Sequence, residues 1–126
     1  MSDIPWDRLI EQAVRARDHA WAPYSKFSVG AALLAGGDVY ASCNVENASF
    51  PVGICAERGA LCAAVGAGKR KMEALVVVAG PMIPPCGMCR QALSEFGDMK
   101  VLLVGLDGEQ RSETTLSALL PGPFSL

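Results

Sequence analysis

Cys55-Ala56-Glu57 and, about thirty residues later, Cys86-Gly87-Met88-Cys89 are the residues whose types and spacing can do chemistry here. A C-x-x-C pair by itself serves structural zinc, redox dithiols and iron–sulfur clusters alike. A third cysteine, with a carboxylate two residues beyond it, completes a set that matches a known signature of metal centres that work on water, a match of pattern and not a consequence of the spacing itself. Three protein ligands leave the fourth tetrahedral position of zinc open and lower the pKa of water there toward ~7, so hydroxide is available at neutral pH. Cys55, Cys86 and Cys89 are the expected ligands for one Zn²⁺ per chain, and Glu57 is the expected proton carrier. Three thiolates make the centre net negative, which weakens its Lewis acidity unless positive potential lies nearby. Arg58 and Arg90 are candidates for that compensation, together with the N-termini of helices beginning at Cys55 and near Cys86. The plain alternative for both arginines is an ordinary surface charge.

The spacing constrains the elements that hold these groups. Residues two apart on a regular helix lie about 200° apart, so Cys55 and Glu57 reach one site only if Cys55 stands at the helix entrance. Pro84 and Pro85 imply the same placement for Cys86. Upstream, Trp6, Leu9, Ile10, Ala13 and Val14 recur at helical spacing and predict a first helix from about Pro5 to Ala20. Phe27 to Leu34, Gly36-Gly37 and Val39 to about Val45 read as a hairpin. Cys55 to about Val65 reads as a buried helix, and Ala74 to Ala79 as a strand covered on both faces. A proline-rich loop, 80–85, precedes a helix from Cys86 or Gly87 to about Gly97. Val101 to Val104 gives a fourth strand, a fifth follows Asp107-Gly108, and Thr114 or Thr115 caps a short last helix. A hairpin followed by alternating strands and helices predicts an α/β fold, a three-layer sandwich with a mixed five-stranded sheet between helices.

The totals agree with one domain spanning 1–126. The chain has 126 residues with 51% hydrophobic and 19% charged side chains, an apolar share that leaves surface for other subunits to cover. A net charge of −2 and a pI near 5.3 argue against a nucleic-acid partner, which needs a clustered excess of Lys and Arg. Lys69-Arg70-Lys71 is the one dense basic run and reads as a solvated face. No stretch approaches the ~18 apolar residues of a membrane span, and the start lacks a signal-peptide pattern, so a soluble, cytoplasmic chain is expected. Cys43 and Cys62 match no ligand position and read as small core residues; His19 reads as a surface or packing residue.

Cys55, Glu57, Pro85, Cys86 and Cys89 match the signature of zinc deaminases in its three-cysteine variant. Further segments extend the match: 23–27 (PYSKF), 29–34 (VGAALL), 43–48 (CNVENA), 53–58 (GICAER), 85–91 (PCGMCRQ) and 119–121 (LLP). Over nearly its whole length the chain resembles the small homotetrameric zinc-dependent cytidine deaminases. The resemblance implies a mixed five-stranded sheet between helices and hydrolytic deamination of cytidine and deoxycytidine in pyrimidine salvage. It implies that Asn44 and Glu46 hold the ribose 3′-hydroxyl and that Phe27 packs on the pyrimidine. It also implies that the segment 48–51, with Phe50, and the near-terminal Phe124 reach a neighbouring subunit's site. Backbone groups around Ala56 and the 81–85 loop are candidate readers of the base edge. In the implied cycle Glu57 takes a proton from the attacking water and carries protons to N3 and to the departing amine.

Departures from the family pattern bear on substrate contacts. Phe50 stands where many relatives carry a hydrogen-bonding Tyr, Trp21 stands where Tyr is common, and the 80–85 loop is a little short. Three competing readings are disfavoured by particular residues. A deaminase of the nucleoside antibiotic blasticidin S differs in the segment carrying Asn44 and Glu46. A polynucleotide-editing deaminase uses His where this chain has Cys55. A non-catalytic zinc module more often has four protein ligands and would give Glu57 no task.

Overall fold

The computed structural model describes residues 3–126. Its elements follow in the order α1 (Trp6–Arg17), β1 (Gly30–Ala35), β2 (Asp38–Cys43), a 3₁₀ turn (Phe50–Val52), α2 (Ala56–Gly66), β3 (Met72–Val78), α3 (Gly87–Ser94), β4 (Lys100–Val104), β5 (Arg111–Thr115) and α4 (Leu116–Leu119). The five strands form one mixed sheet in the order β2-β1-β3-β4-β5, in which only β3 and β4 run parallel. Among the described residues no helix is long and apolar enough to cross a membrane.

The three layers follow from the two-residue period of a strand. Ala32 and Leu34 of β1, Val76 and Val78 of β3, and Leu102 and Val104 of β4 point to one face and pack with Leu9 and Ala13 of α1. The alternate residues, Ala31, Leu33, Leu75, Val77, Val101 and Leu103, point to the other face and meet Ala56, Ala60, Leu61 and Ala64 of α2, Leu93 of α3 and Leu116 of α4. Both faces of β3 are therefore dry, which explains its unbroken run of apolar residues.

Helix α1 lies unusually close to the sheet. A β-carbon placed on Gly30 would sit 2.0 Å from the carbonyl oxygen of Ala13, so a residue without a side chain is what permits this approach. Beyond Arg17 the predicted helix tightens: the amides of Asp18, His19 and Ala20 donate three residues back, to Arg15, Ala16 and Arg17.

The hairpin also begins later than its apolar pattern predicts. Residues 27–29 lie outside the strand: the Asn44 amide still donates to the Val29 carbonyl at 3.3 Å, but the Val29 amide and the Phe27 carbonyl are partnered by the Asn44 side chain. Its Oδ1 accepts from the Val29 amide at 2.9 Å and its Nδ2 donates to the Phe27 carbonyl at 2.8 Å.

Two sequence readings are corrected. Cys62 is exposed, because the buried stripe of α2 falls on residues 56, 57, 60, 61 and 64; Cys43 is only partly buried. Lys69 is not simply solvated, since its Nζ pairs with Asp38 at 2.8 Å beside the hairpin turn.

At the far edge of the sheet, β5 exposes Arg111, Ser112 and Glu113, and Lys100 of β4 lies 3.8 Å from Glu113.

Candidate metal centre and active site

Cys55 is the N-cap of α2 and Cys86 the N-cap of α3, each with extended backbone, so both stand at the helix entrance that the Cys55/Glu57 spacing requires. Cys89 lies one turn into α3 and is fully buried. The sulfurs of Cys55 and Cys86 are 3.7 Å apart and those of Cys86 and Cys89 3.5 Å, and all three lie within 4.8 Å of one another. Zinc with tetrahedral bonds of about 2.3 Å to sulfur separates its ligands by about 3.8 Å. The Cys55–Cys86 and Cys86–Cys89 pairs are thus already near the separation such an ion needs, with Cys89 and Cys55 within 4.8 Å and no fourth protein ligand beside them among the described residues.

Two helix N-termini meet at this cluster, and first-turn amides have no partner within their own helix. Arg58 adds a full charge: its Nη2 lies 3.7 Å from the Cys55 sulfur, and its Nε is buried without a hydrogen-bond partner. Donation from the Cys89 thiol, aided by Arg58 and Cys86, lowers the Cys55 pKa to about 5, against the cost of burial. The Cys89 thiol is pushed the other way by the neighbouring Cys55 and by burial, so the cluster holds its first negative charge readily and resists a second. A bound dication removes that resistance. Arg90 has different contacts. Its Nε donates to the Pro85 carbonyl at 2.7 Å and its Nη1 to the Leu119 carbonyl at 2.8 Å, tying the residue before Cys86 to α4.

Glu57 is 3% exposed, the one buried charged side chain among the described residues. Burial, with a smaller contribution from the Cys55 thiolate, raises its pKa to about 7, while Arg58 pulls in the opposite direction. A carboxyl there can both take and give a proton near neutrality.

Glu57, Cys55 and Cys86 open on a cavity of about 240 Å³ shared with Phe27, Asn44, Glu46 and Ala56. Ser25, Val29, Ile83 and Pro84 complete its wall; Ile83 and Pro84 belong to the 81–85 loop expected to read the base edge, whereas Ser25 and Val29 had no expected role. Glu46 is held rigidly: Oε1 accepts from the amides of Tyr24 and Ser25 at 2.9 and 3.1 Å, and Oε2 accepts from the Ser25 hydroxyl. These donors hold its carboxyl below the usual range. Phe50 lines an adjoining cavity of about 390 Å³ with Tyr24, Ser25 and Glu46, and is 76% exposed. Phe124 lines neither cavity; its carbonyl accepts from Gln91 and its side chain is 71% exposed.

A family model described as the cytidine and deoxycytidylate deaminase zinc-binding region matches residues 5–105. The chain is 50% identical over 125 residues to the cytidine deaminase of Sporosarcina psychrophila, covering 94% of this chain and 90% of that one. It is 48% identical to that of Halalkalibacterium halodurans, covering 93% and 92%. The crystal structure of cytidine deaminase from Burkholderia pseudomallei superposes with a TM-score of 0.89 at 44% identity, covering 96% of this chain and 100% of that one. Sequence likeness along almost the full length, a matching fold and a thiol cluster spaced for zinc converge on one conclusion: this chain belongs to the zinc-binding cytidine and deoxycytidylate deaminase family.

Proposed function

We propose that the chain hydrolyses the C4 amine of cytidine and deoxycytidine, yielding uridine and deoxyuridine with release of ammonia. The observation that carries this reading is the placement of Glu57, a buried carboxylate outside the thiol set, on the same cavity as Cys55 and Cys86 and as Asn44 and Glu46.

Cys55, Cys86 and Cys89 are the ligands in this reading, and zinc bound there supplies the Lewis acidity that makes water a nucleophile at neutral pH. Glu57 takes a proton from the attacking water as its oxygen bonds to C4, and delivers that proton to N3. The second proton of the water passes through the same carboxylate to the amine. The C4–N bond then breaks, ammonia leaves, and C4 keeps the oxygen as a carbonyl. Arg58 offsets the thiolate charge. In this reading Phe27 packs on the pyrimidine and the first-turn amide of Ala56 reads the base edge.

The sugar is read by what Asn44 and Glu46 have left. After its bonds to Phe27 and Val29, Asn44 retains one N–H, and after three accepted bonds Glu46 retains an acceptor position on Oε2. One hydroxyl both accepts and donates, so a single sugar hydroxyl, the 3′ group, satisfies the pair.

Residues 1–126 form one catalytic domain in this reading, and Phe50 and Phe124 complete the sites of neighbouring subunits in a homotetramer. Pyrimidine salvage in the cytoplasm is the role this activity fits. The test is ammonia release from cytidine, deoxycytidine, adenosine, blasticidin S and a cytosine-containing oligonucleotide. Turnover of the two nucleosides alone supports the reading; turnover of another substrate, and not of these, overturns it.

A further inference from the structure

Ser25 lies on the wall between the two cavities, and its contacts are more specific than those of a turn residue. The turn that carries it closes through the Lys26 amide, which donates to the Ala22 carbonyl at 3.0 Å, and Lys26 takes a left-handed φ of 61°. That reversal presents Ser25 and Phe27 to the cavity from one short segment. The Phe27 amide donates to the Ser25 Oγ at 3.0 Å. With that amide on one lone pair of the oxygen, the hydroxyl proton is directed at Glu46 Oε2. The Ser25 amide holds the other oxygen of the same carboxylate.

We propose that Ser25 is a positioning residue for sugar recognition, its hydroxyl fixing the Glu46 carboxylate so that one Oε2 acceptor position faces the substrate's 3′-hydroxyl. The proposal rests on the reading of Glu46 as the sugar-binding carboxylate. Without the hydroxyl, Glu46 keeps its two amide donors on Oε1 but is free to turn about them. Recognition of the sugar weakens while the chemistry at C4, which depends on Glu57 and the cysteines, persists.

The experiment compares Ser25→Ala, Ser25→Thr, Glu46→Gln and the Ser25→Ala/Glu46→Gln double variant. The readouts are KM and kcat for cytidine, the inhibition constant of 3′-deoxycytidine as competitor, and melting temperature. The expected result for Ser25→Ala is a rise of about tenfold in KM for cytidine that exceeds any fall in kcat, with 3′-deoxycytidine bound within about twofold of the parent. Ser25→Thr, which keeps a hydroxyl, restores KM, and the double variant is no worse than Glu46→Gln alone. Equal losses on both ligands, or fully additive losses in the double variant, overturn the assignment and leave Ser25 a structural residue. If Glu46→Gln itself fails to discriminate cytidine from 3′-deoxycytidine, the sugar-binding reading of Glu46 falls, and the role of Ser25 falls with it.

Discussion

Glu57 combines almost complete burial with the lack of an ion-pair partner among the described residues, and its proposed task rests on both. Glu57→Gln keeps size and polarity and removes the base. General acid–base catalysis supplies about 10²–10⁴-fold, and one carboxylate acting at several steps should cost the upper end or more. Turnover, zinc stoichiometry and melting temperature measured together should show that loss with metal and fold retained. A fall below tenfold removes Glu57 as proton carrier, and concurrent loss of zinc makes it a structural or liganding group. For Glu46, Glu46→Ala should impair nucleosides far more than free cytosine, and equal losses in competition assays with the two would remove it from the sugar site. Glu57 and the three cysteines were legible in the sequence because together they match a known signature. Ser25 was not legible as a functional residue, since its contacts with Glu46 span twenty-one positions and exist only once the turn has formed.

At the scale of elements, the site depends on how closely neighbouring layers approach. The lack of a side chain at Gly30 lets α1 seat against β1, and the atom a β-carbon would strike is backbone that cannot rotate away. Gly30→Ala should therefore destabilise the fold by about 3 kcal/mol, the upper end of ordinary overpacking, as measured by urea unfolding. A change under about 1 kcal/mol would mean that α1 lifts freely. The order of the elements and the mixed sheet were readable from apolar periodicity and turn residues. The start of β1 was not, because pattern reading assigns residues 27–29 to the strand while the Asn44 side chain partners the Val29 amide and the Phe27 carbonyl. Cys62 misled for a related reason: cysteine composition favours burial, but the helix phase set by Ala56, Ala60 and Ala64 turns it outward. For Arg90, position beside a ligand implied electrostatics, whereas the side chain reaches two carbonyls and braces α3 against α4.

On the whole molecule, Trp21, Tyr24, Val45, Phe50, Val52 and Ile54 are exposed, and most lie in the segments that also line the two cavities. Burying them against further copies would stabilise the assembly and close the site at once. Sedimentation should show a tetramer at assay concentrations, and Phe50→Ala should weaken both assembly and KM. A fully active monomer would refute shared sites. Zinc analysis of protein purified without chelator should give one ion per chain, and a fourth protein ligand in its coordination shell would contradict a catalytic centre.

The edge of the sheet limits how such copies can meet. Exposed Arg111 and Glu113 on β5 present alternating charge where a free strand would otherwise offer its backbone to another chain. Strand-to-strand addition repeats without end, whereas contacts through loops and helix faces can close on themselves. The charged β5 edge lies at the side of the sheet farthest from the hairpin, while the apolar loops gather at the hairpin end, so contacts between copies are directed to the loops and away from strand addition at β5.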